Sequence, residues 1–365
     1  MAAVAVAVGV ASGEEEAAAA RCARRPRPRP HSVTISEFGA VGDGVTVNTL
    51  PFQNAIFYLR SFADKGGAQL YVPRGRWLTG SFNLTSHLTI FLEKDAVIIG
   101  AKEVSEWPIV EPLPSYGQGI DLPGARHRSL INGHNVTDVV ITDSCSNMCI
   151  EDSSISVAHD AISLKSGWDN YGITIGRPAS DIHISRVDLQ ASLGAALAFG
   201  SEMSGGISDI HVDHLNIHGS SRGILFKTAP GRGGYIRDVV ISDVQMEDVN
   251  VAIKFTGDWS THPDNHFDPS ALPMINRITL KNMVGTNISV AGVLSGINGD
   301  PFTNICLSNI SFSLADSTQS SSWSCSNISG YSELVFPEPC PDLHHSSSNS
   351  SICFSLLTYH ALAAA

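Results

Sequence analysis

Along the second half of the chain, apolar residues alternate with polar ones inside a short recurring phrase: Asn or Asp, an apolar residue, any residue, then Ile, Val or Leu. The phrase occupies 147–150, 181–184, 209–212, 238–241, 276–280 (one residue looser) and 304–307, with steps of 34, 28, 29, 38 and 28 between first residues. Alternation with period two predicts a β-strand. Recurrence near thirty residues predicts stacked units. A second apolar run follows four of these phrases at an offset of 12 or 13 residues, at 160–165, 194–199, 222–227 and 250–255. Units this small cannot bury an apolar face alone, but they can by coiling and stacking on their neighbours. No Leu-x-x-Leu-x-Leu phrase and no face of period 3.6 accompanies the repeat. The pattern therefore predicts an all-β fold, a right-handed parallel β-helix.

The first half departs from this pattern once. Apolar residues at Phe52, Ala55, Ile56, Leu59 and Phe62 have helical spacing, with Asn48 or Thr49 as N-cap and Gly66–Gly67 as the stop. A single helix ahead of many strands would cap the open end of the solenoid. Strands are expected at 68–72, 77–84 and 87–99, and after Leu307 the pattern fades into Ser-rich and Pro-rich sequence. The expected organisation is a leader or linker over 1–31, one β-helix domain over 32–340 and an unstructured tail over 341–365. Residues 2–12 are apolar but too few to span a membrane, so no stable membrane insertion is expected.

Charge narrows the partners. A net charge of −12 without a basic run after residue 30 argues against nucleic acid. It leaves an anionic sugar polymer open, because nearby Lys and Arg outweigh distant carboxylates beyond a Debye length of ~8–10 Å. Asn-x-Ser/Thr sequons at Asn83, Asn135, Asn287, Asn309, Asn327 and Asn349 would be acceptors in a secreted glycoprotein. Cys325 and Cys340 flank a Pro-rich turn and could close a loop in an oxidising compartment. No Cys/His cluster suggests a metal, so neither a metal nor a cofactor is expected.

Several stretches carry a family resemblance: EFGAVGDGVTVNT (37–49), HDAISLKSGWDNYG (159–172), FGSEMSGG (199–206), KTAPGRGGYIRDV (227–239) and FTGDW (255–259). On these the chain resembles the plant polygalacturonase-like branch of glycoside hydrolase family 28. The resemblance implies a secreted, cell-wall protein, a monomer, that hydrolyses α-1,4-galacturonan in pectin with inversion. Such hydrolysis needs a protonated carboxyl and a carboxylate base on opposite sides of the scissile bond. Carried onto this sequence, the family's Gly-Asp-Asp falls on Ala158-His159-Asp160. Its Gly-His-Gly falls on Gly194-Ala195-Ala196, and its Arg-Ile-Lys on Leu225-Phe226-Lys227. The family's Asn-Thr-Asp is absent.

The spacing offers a reason for that loss. A phrase at 138–141 precedes the one at 147 by only nine residues, too few for a coil. The family places about two further coils there, so an internal deletion is the expected cause; Asp143 lies downstream of the lost motif and does not replace it. Asp160 is the candidate base or acid, and His159 a candidate proton donor, histidine having an ordinary pKa near ~6.5. Lys227, Lys165, Glu202 and Arg232 are the candidate substrate-binding groups, with Gly231-Arg232-Gly233-Gly234 expected as a tight turn between coils that sets Arg232 at the groove rim; Lys254 belongs to the same groove. Glu202 and Asp169 are spare carboxylates on loops after strands, either of which could partner Asp160, and Trp168 and Trp259 are candidate sugar platforms. A non-catalytic pectin binder is the second reading. A pectate lyase is the third, weakened by the lack of an acidic calcium cluster.

Overall fold

The computed structural model describes residues 29–93, 95–117, 126–132, 146–315 and 322–345. The junction at 133–145, most of the expected leader, and residues 346–365 lie outside the described residues. So does the nine-residue step, apart from the backbone of Ser146 and Asn147.

The strands wind into parallel coils. In the first body β1 (His31–Thr34), β2 (Ala68–Val72) and β5 (Leu88–Leu92) form one parallel sheet. Strands β3 (Gly75–Thr79) and β6 (Ala96–Gly100) pair beside it, as do β4 (Phe82–Asn83) and β9 (Ile131–Asn132). A short antiparallel pair joins β7 (Ile109–Val110) to β8 (Arg126–His127). The expected strand over 77–84 is thus split, as is that over 87–99, because the chain turns a coil corner within each.

Helix α1 (Thr49–Leu59) buries Phe52, Ala55, Ile56 and Leu59 against this body, and Phe52 stacks on Phe82 with ring centres 4.7 Å apart. It runs on as a 3-10 turn to Lys65 and ends at Gly66, whose φ of 90° suits a glycine. Asn48 precedes the helix but does not cap it through its side chain. Its Oδ1 accepts from the Val41 N–H, and its amide donates to the Val41, Thr46 and Leu78 carbonyls. It pins the incoming loop instead.

The second body is built from β10 (Ser146–Val157), β11 (Ile162–Leu164), helix α2 (Asp169–Ile175), β12 (Ala179–Ala191), β13 (Ala195–Phe199) and β14 (Ile207–Lys227). It continues with β15 (Tyr235–Thr256), β16 (Met274–Ser295), β17 (Phe302–Leu314), β18 (Trp323–Ser326), β19 (Ile328–Phe336) and β20 (Leu343–His345). Its eleven strands, β10 to β20, belong to one parallel sheet. Apolar residues stack in register through the coil interior, as in the column Ile182, Ile210, Val239, Ile278 and Ile305. Phe199, Phe226 and Phe255 stack at 4.4 and 4.3 Å. The ladder passes the boundaries expected from sequence. Ile310 and Phe312 keep the alternation after Leu307, and β20 pairs with β19 beyond residue 340. Cys325 and Cys340 form a disulfide, as their spacing suggested.

The structure gives the recurring phrase its physical cause. Asp181, Asp209, Asp238, Arg277 and Asn304 fall in one column of left-handed residues, with φ between 54° and 57°. Asp152, Arg186, His214, Asp243, Asn282 and Asn309 form a second. A coil corner needs one residue with positive φ, and among residues with a Cβ, Asn and Asp adopt it at least cost. The phrase at 276–280 looked one residue loose because its corner residue is Arg277, which bonds Asp238 through two 2.6 Å contacts.

Candidate functional site

The candidate residues gather along the second strand of each coil. Asp160 precedes β11, and two coils on, Lys227 ends β14. Their side chains meet at 2.6 Å, and the Ala195 N–H donates to the other Asp160 oxygen at 2.9 Å. Stacked coils stand ~4.8 Å apart, so the pair must reach across the intervening coil. That coil presents Ala195 and Ala198, which with Leu225 form a small buried apolar patch apart from the coil interior.

Lys165, after β11, holds Glu202 at 2.8 Å from the loop after β13. Burial works against the charge on Asp160, yet the Lys227 ammonium and the Ala195 N–H hold its carboxyl below the ordinary range. Burial also opposes ionisation of Glu202, and the charges of Lys165 and Lys227 overcome it. Both carboxylates are therefore ionised, suited to accept a proton and not to give one. His159 stands exposed beside Asp160. Lys254, one coil beyond Leu225, is half-buried; burial and the neighbouring Arg222 charge push its pKa down. Among the described residues no carboxylate lies within ion-pair distance of it. Lys227 also lies 4.9 Å from the Trp259 ring, which is partly exposed as a sugar platform requires.

Three expectations are corrected. Arg232 is not at the groove rim: it is 0% exposed, and its Nη1 donates to Asp169 Oδ1 at 2.6 Å. Asp169 is not spare, because its second oxygen accepts from His262 Nδ1 at 2.6 Å. Trp168 is buried, its indole N–H bonded to the Thr261 carbonyl, and offers no open face. The glycines around Arg232 do make a tight turn, with φ of 91°, 53° and 64° at Gly231, Gly233 and Gly234.

His262, with Phe267 stacked on it at 3.6 Å, was not anticipated. The signal for it was the step of 38 residues among steps near 28, which is the extra loop between β15 and β16.

A second charged cluster lies on the outer face of β10, β12 and β14. His183 contacts Asp213 at 2.6 Å and faces Glu151 at 3.3 Å in an ionic contact too poorly aligned for a hydrogen bond. Burial opposes the imidazolium, but these two carboxylates raise its pKa to about 9. Arg186 joins the cluster through Asp152 at 2.7 Å.

With this geometry in view, the relatives can be placed. The model of glycosyl hydrolases family 28 matches residues 120–336. A probable polygalacturonase of Vitis vinifera is 37% identical over 395 aligned positions, covering 86% of this chain and 80% of the relative. Since 86% of 365 residues is about 314, roughly eighty aligned positions have no counterpart here, in keeping with missing coils. An exopolygalacturonase of Thermotoga maritima superposes with a TM-score of 0.56 at 19% identity, over 83% of this chain and 88% of that one. A family 28 exopolygalacturonase of Yersinia enterocolitica gives 0.53 at 15% identity, over 87% and 77%. These two bear on the fold alone, the right-handed parallel β-helix. No helix among the described residues is long and apolar enough to cross a membrane. The eroded motifs thus stand on an intact family scaffold, and the chain belongs to glycosyl hydrolase family 28, a family of glycosidases.

Proposed function

We propose that the chain is a polygalacturonase-type hydrolase that cleaves α-1,4-galacturonan in pectin with inversion. The observation that carries this reading is Asp160, ionised at the head of β11 with Lys227 and Lys165 beside it. In the reaction Asp160 accepts a proton from the attacking water, whose oxygen bonds the anomeric carbon. The leaving oxygen takes its proton from an acid, and His159 occupies the family's position for that group. Lys227, Lys165 and Glu202 flank the bound uronate, with a lysine ammonium suited to its carboxylate. A cell-wall address follows from the proposed pectin substrate. Secretion as a monomeric glycoprotein is part of the proposal, supported by the exposed sequon residues Asn83, Asn287, Asn309 and Asn327.

The pairing of both carboxylates with lysines favours a second reading, a groove that binds galacturonan without cutting it. Reducing-sugar release from polygalacturonate separates the two. The hydrolase reading expects release by the wild type, lost in Asp160→Asn while binding persists. Binding without release by the wild type leaves the binder, and an absence of both ends the proposal.

A further inference from the structure

We propose that Arg232 is the positioning residue of this groove: from a fully buried site it fixes the Glu202 loop and the Trp259 loop together, and so sets Trp259 over the Lys227 ammonium. Its Nε donates to the Ser201 carbonyl at 2.9 Å, one residue before Glu202. Its Nη2 donates to the Trp259 carbonyl at 3.1 Å and to that of Thr261. Nη1 is held by Asp169. The 2.6 Å contact between His262 Nδ1 and Asp169 requires the proton on Nδ1, so Nη1, 3.2 Å from that nitrogen, does not donate to it.

The far ends of the clamp are also tied down. Asp169 opens α2, and the two residues that follow it grip the same loop. Asn170 donates to the His266 carbonyl at 2.7 Å, and the Tyr171 hydroxyl meets Asp264 at 2.5 Å. Trp168 lies under the guanidinium at 5.6 Å and bonds Thr261. Stability alone does not ask for this construction, because a buried ion pair is often no better than apolar residues of the same volume. What a planar fork of donors adds is direction, since each N–H fixes one carbonyl. Here two of those carbonyls belong to Trp259 and to the residue before Glu202. The path from the clamp to the chemistry is short: Arg232 to Trp259, Trp259 to Lys227 at 4.9 Å, Lys227 to Asp160 at 2.6 Å.

The placement of Trp259 can be tested without substrate, whereas its effect on ligand binding rests on the function proposed above. Acrylamide quenching of tryptophan fluorescence is measured for the wild type, Arg232→Lys, Trp259→Phe and the double variant, the Trp259→Phe pair giving the share of the other tryptophans. Lysine keeps the charge and loses the fork. Trp259 is expected to become about twofold more quenchable in Arg232→Lys, read as the difference between each protein and its Trp259→Phe partner, which subtracts any change at Trp168 beneath the guanidinium. Unchanged quenching of Trp259 overturns the proposal. In case Arg232→Lys fails to fold, Tyr171→Phe releases the same loop from its exposed side and is expected to move quenching in the same direction.

The second arm is affinity for a short oligogalacturonate by calorimetry. Arg232→Lys is expected to weaken it about tenfold in the wild-type background and clearly less in the Trp259→Phe background, where only the hold on the Glu202 loop is still lost. Equal loss in both backgrounds would mean a general structural role and overturn the positioning role. Failure of the wild type to bind, with the quenching shift intact, would remove the galacturonan reading and leave the clamp standing.

Discussion

The two bodies of this β-helix are built from the same kind of coil and differ in what joins one coil to the next. In the second body β15 and β16 each run for 22 residues, and the corner residues form bonded columns from coil to coil. Among the described residues of the first body no strand exceeds five residues, and the sheets hold two or three strands. Each has its own apolar core, one around Phe52 and Phe82, the other around the Phe199–Phe226–Phe255 stack. Among the described residues no β-ladder connects them. They meet where the 3-10 turn Pro114–Tyr116 lies against α2, with the Trp168 N–H donating to the Ser115 carbonyl at 2.8 Å. Solenoid stability is close to a sum of nearest-neighbour coil terms, so a break in the ladder should divide the cooperativity.

The largest effect that tests this division is Phe226→Ala, which opens a cavity between two stacked rings and should cost about 3–5 kcal/mol. Calorimetry should then show the transition of the second body moving down while that of the first stays in place. Phe52→Ala should do the reverse. One transition, shifted alike by both substitutions, would show that the bodies unfold as a unit.

The division also explains what could be read from the sequence. The fold was legible because one chemical requirement, a left-handed corner residue followed by alternating apolar positions, repeats through the second body. Asp181, Asp209, Asp238 and Asn304 all announce it, and Arg277 hid once behind Asn276. Asp160 and Lys227 were found through motif position, and they do meet. Arg232 was misplaced for a physical reason: a glycine-flanked arginine reads as a surface turn unless its partners are known. Asp169 and His262 lie 63 and 30 residues from it in sequence. Contacts of that range leave no local pattern, and only the long 38-residue step pointed to the loop that supplies His262.

A smaller effect separates the bodies by pH. His183 belongs to the second body, and its pKa in the folded state, about 9, lies above the ordinary value of 6.5. A group raised in this way contributes stability that is fully present below about pH 6.5 and lost as the pH climbs to about 9. The carboxyl of Asp213 is held low: burial opposes its charge, and His183, Ser185 and His214 overcome it. Its contribution is present above the ordinary carboxylate range and lost in acid. The second transition should therefore weaken by on the order of 1–3 kcal/mol between pH 6.5 and 9. His183→Gln should flatten that slope, and the transition of the first body should not follow it. Parallel loss in both transitions would place the titration elsewhere.

The smallest effect probes the corner itself. Asn304 has a φ of 54°, where an alanine pays for its Cβ and a glycine does not. Asn304→Gly should therefore be more stable than Asn304→Ala by about 1 kcal/mol. Gln69 sits mid-strand in β2 of the first body, and there the order should invert, glycine losing about 0.5–1 kcal/mol to alanine through backbone entropy. The sign of the Gly–Ala difference, read by urea denaturation at both positions, reports backbone conformation with little contribution from side-chain packing. Equal signs would mean that the left-handed turn is not what selects Asn and Asp in these columns.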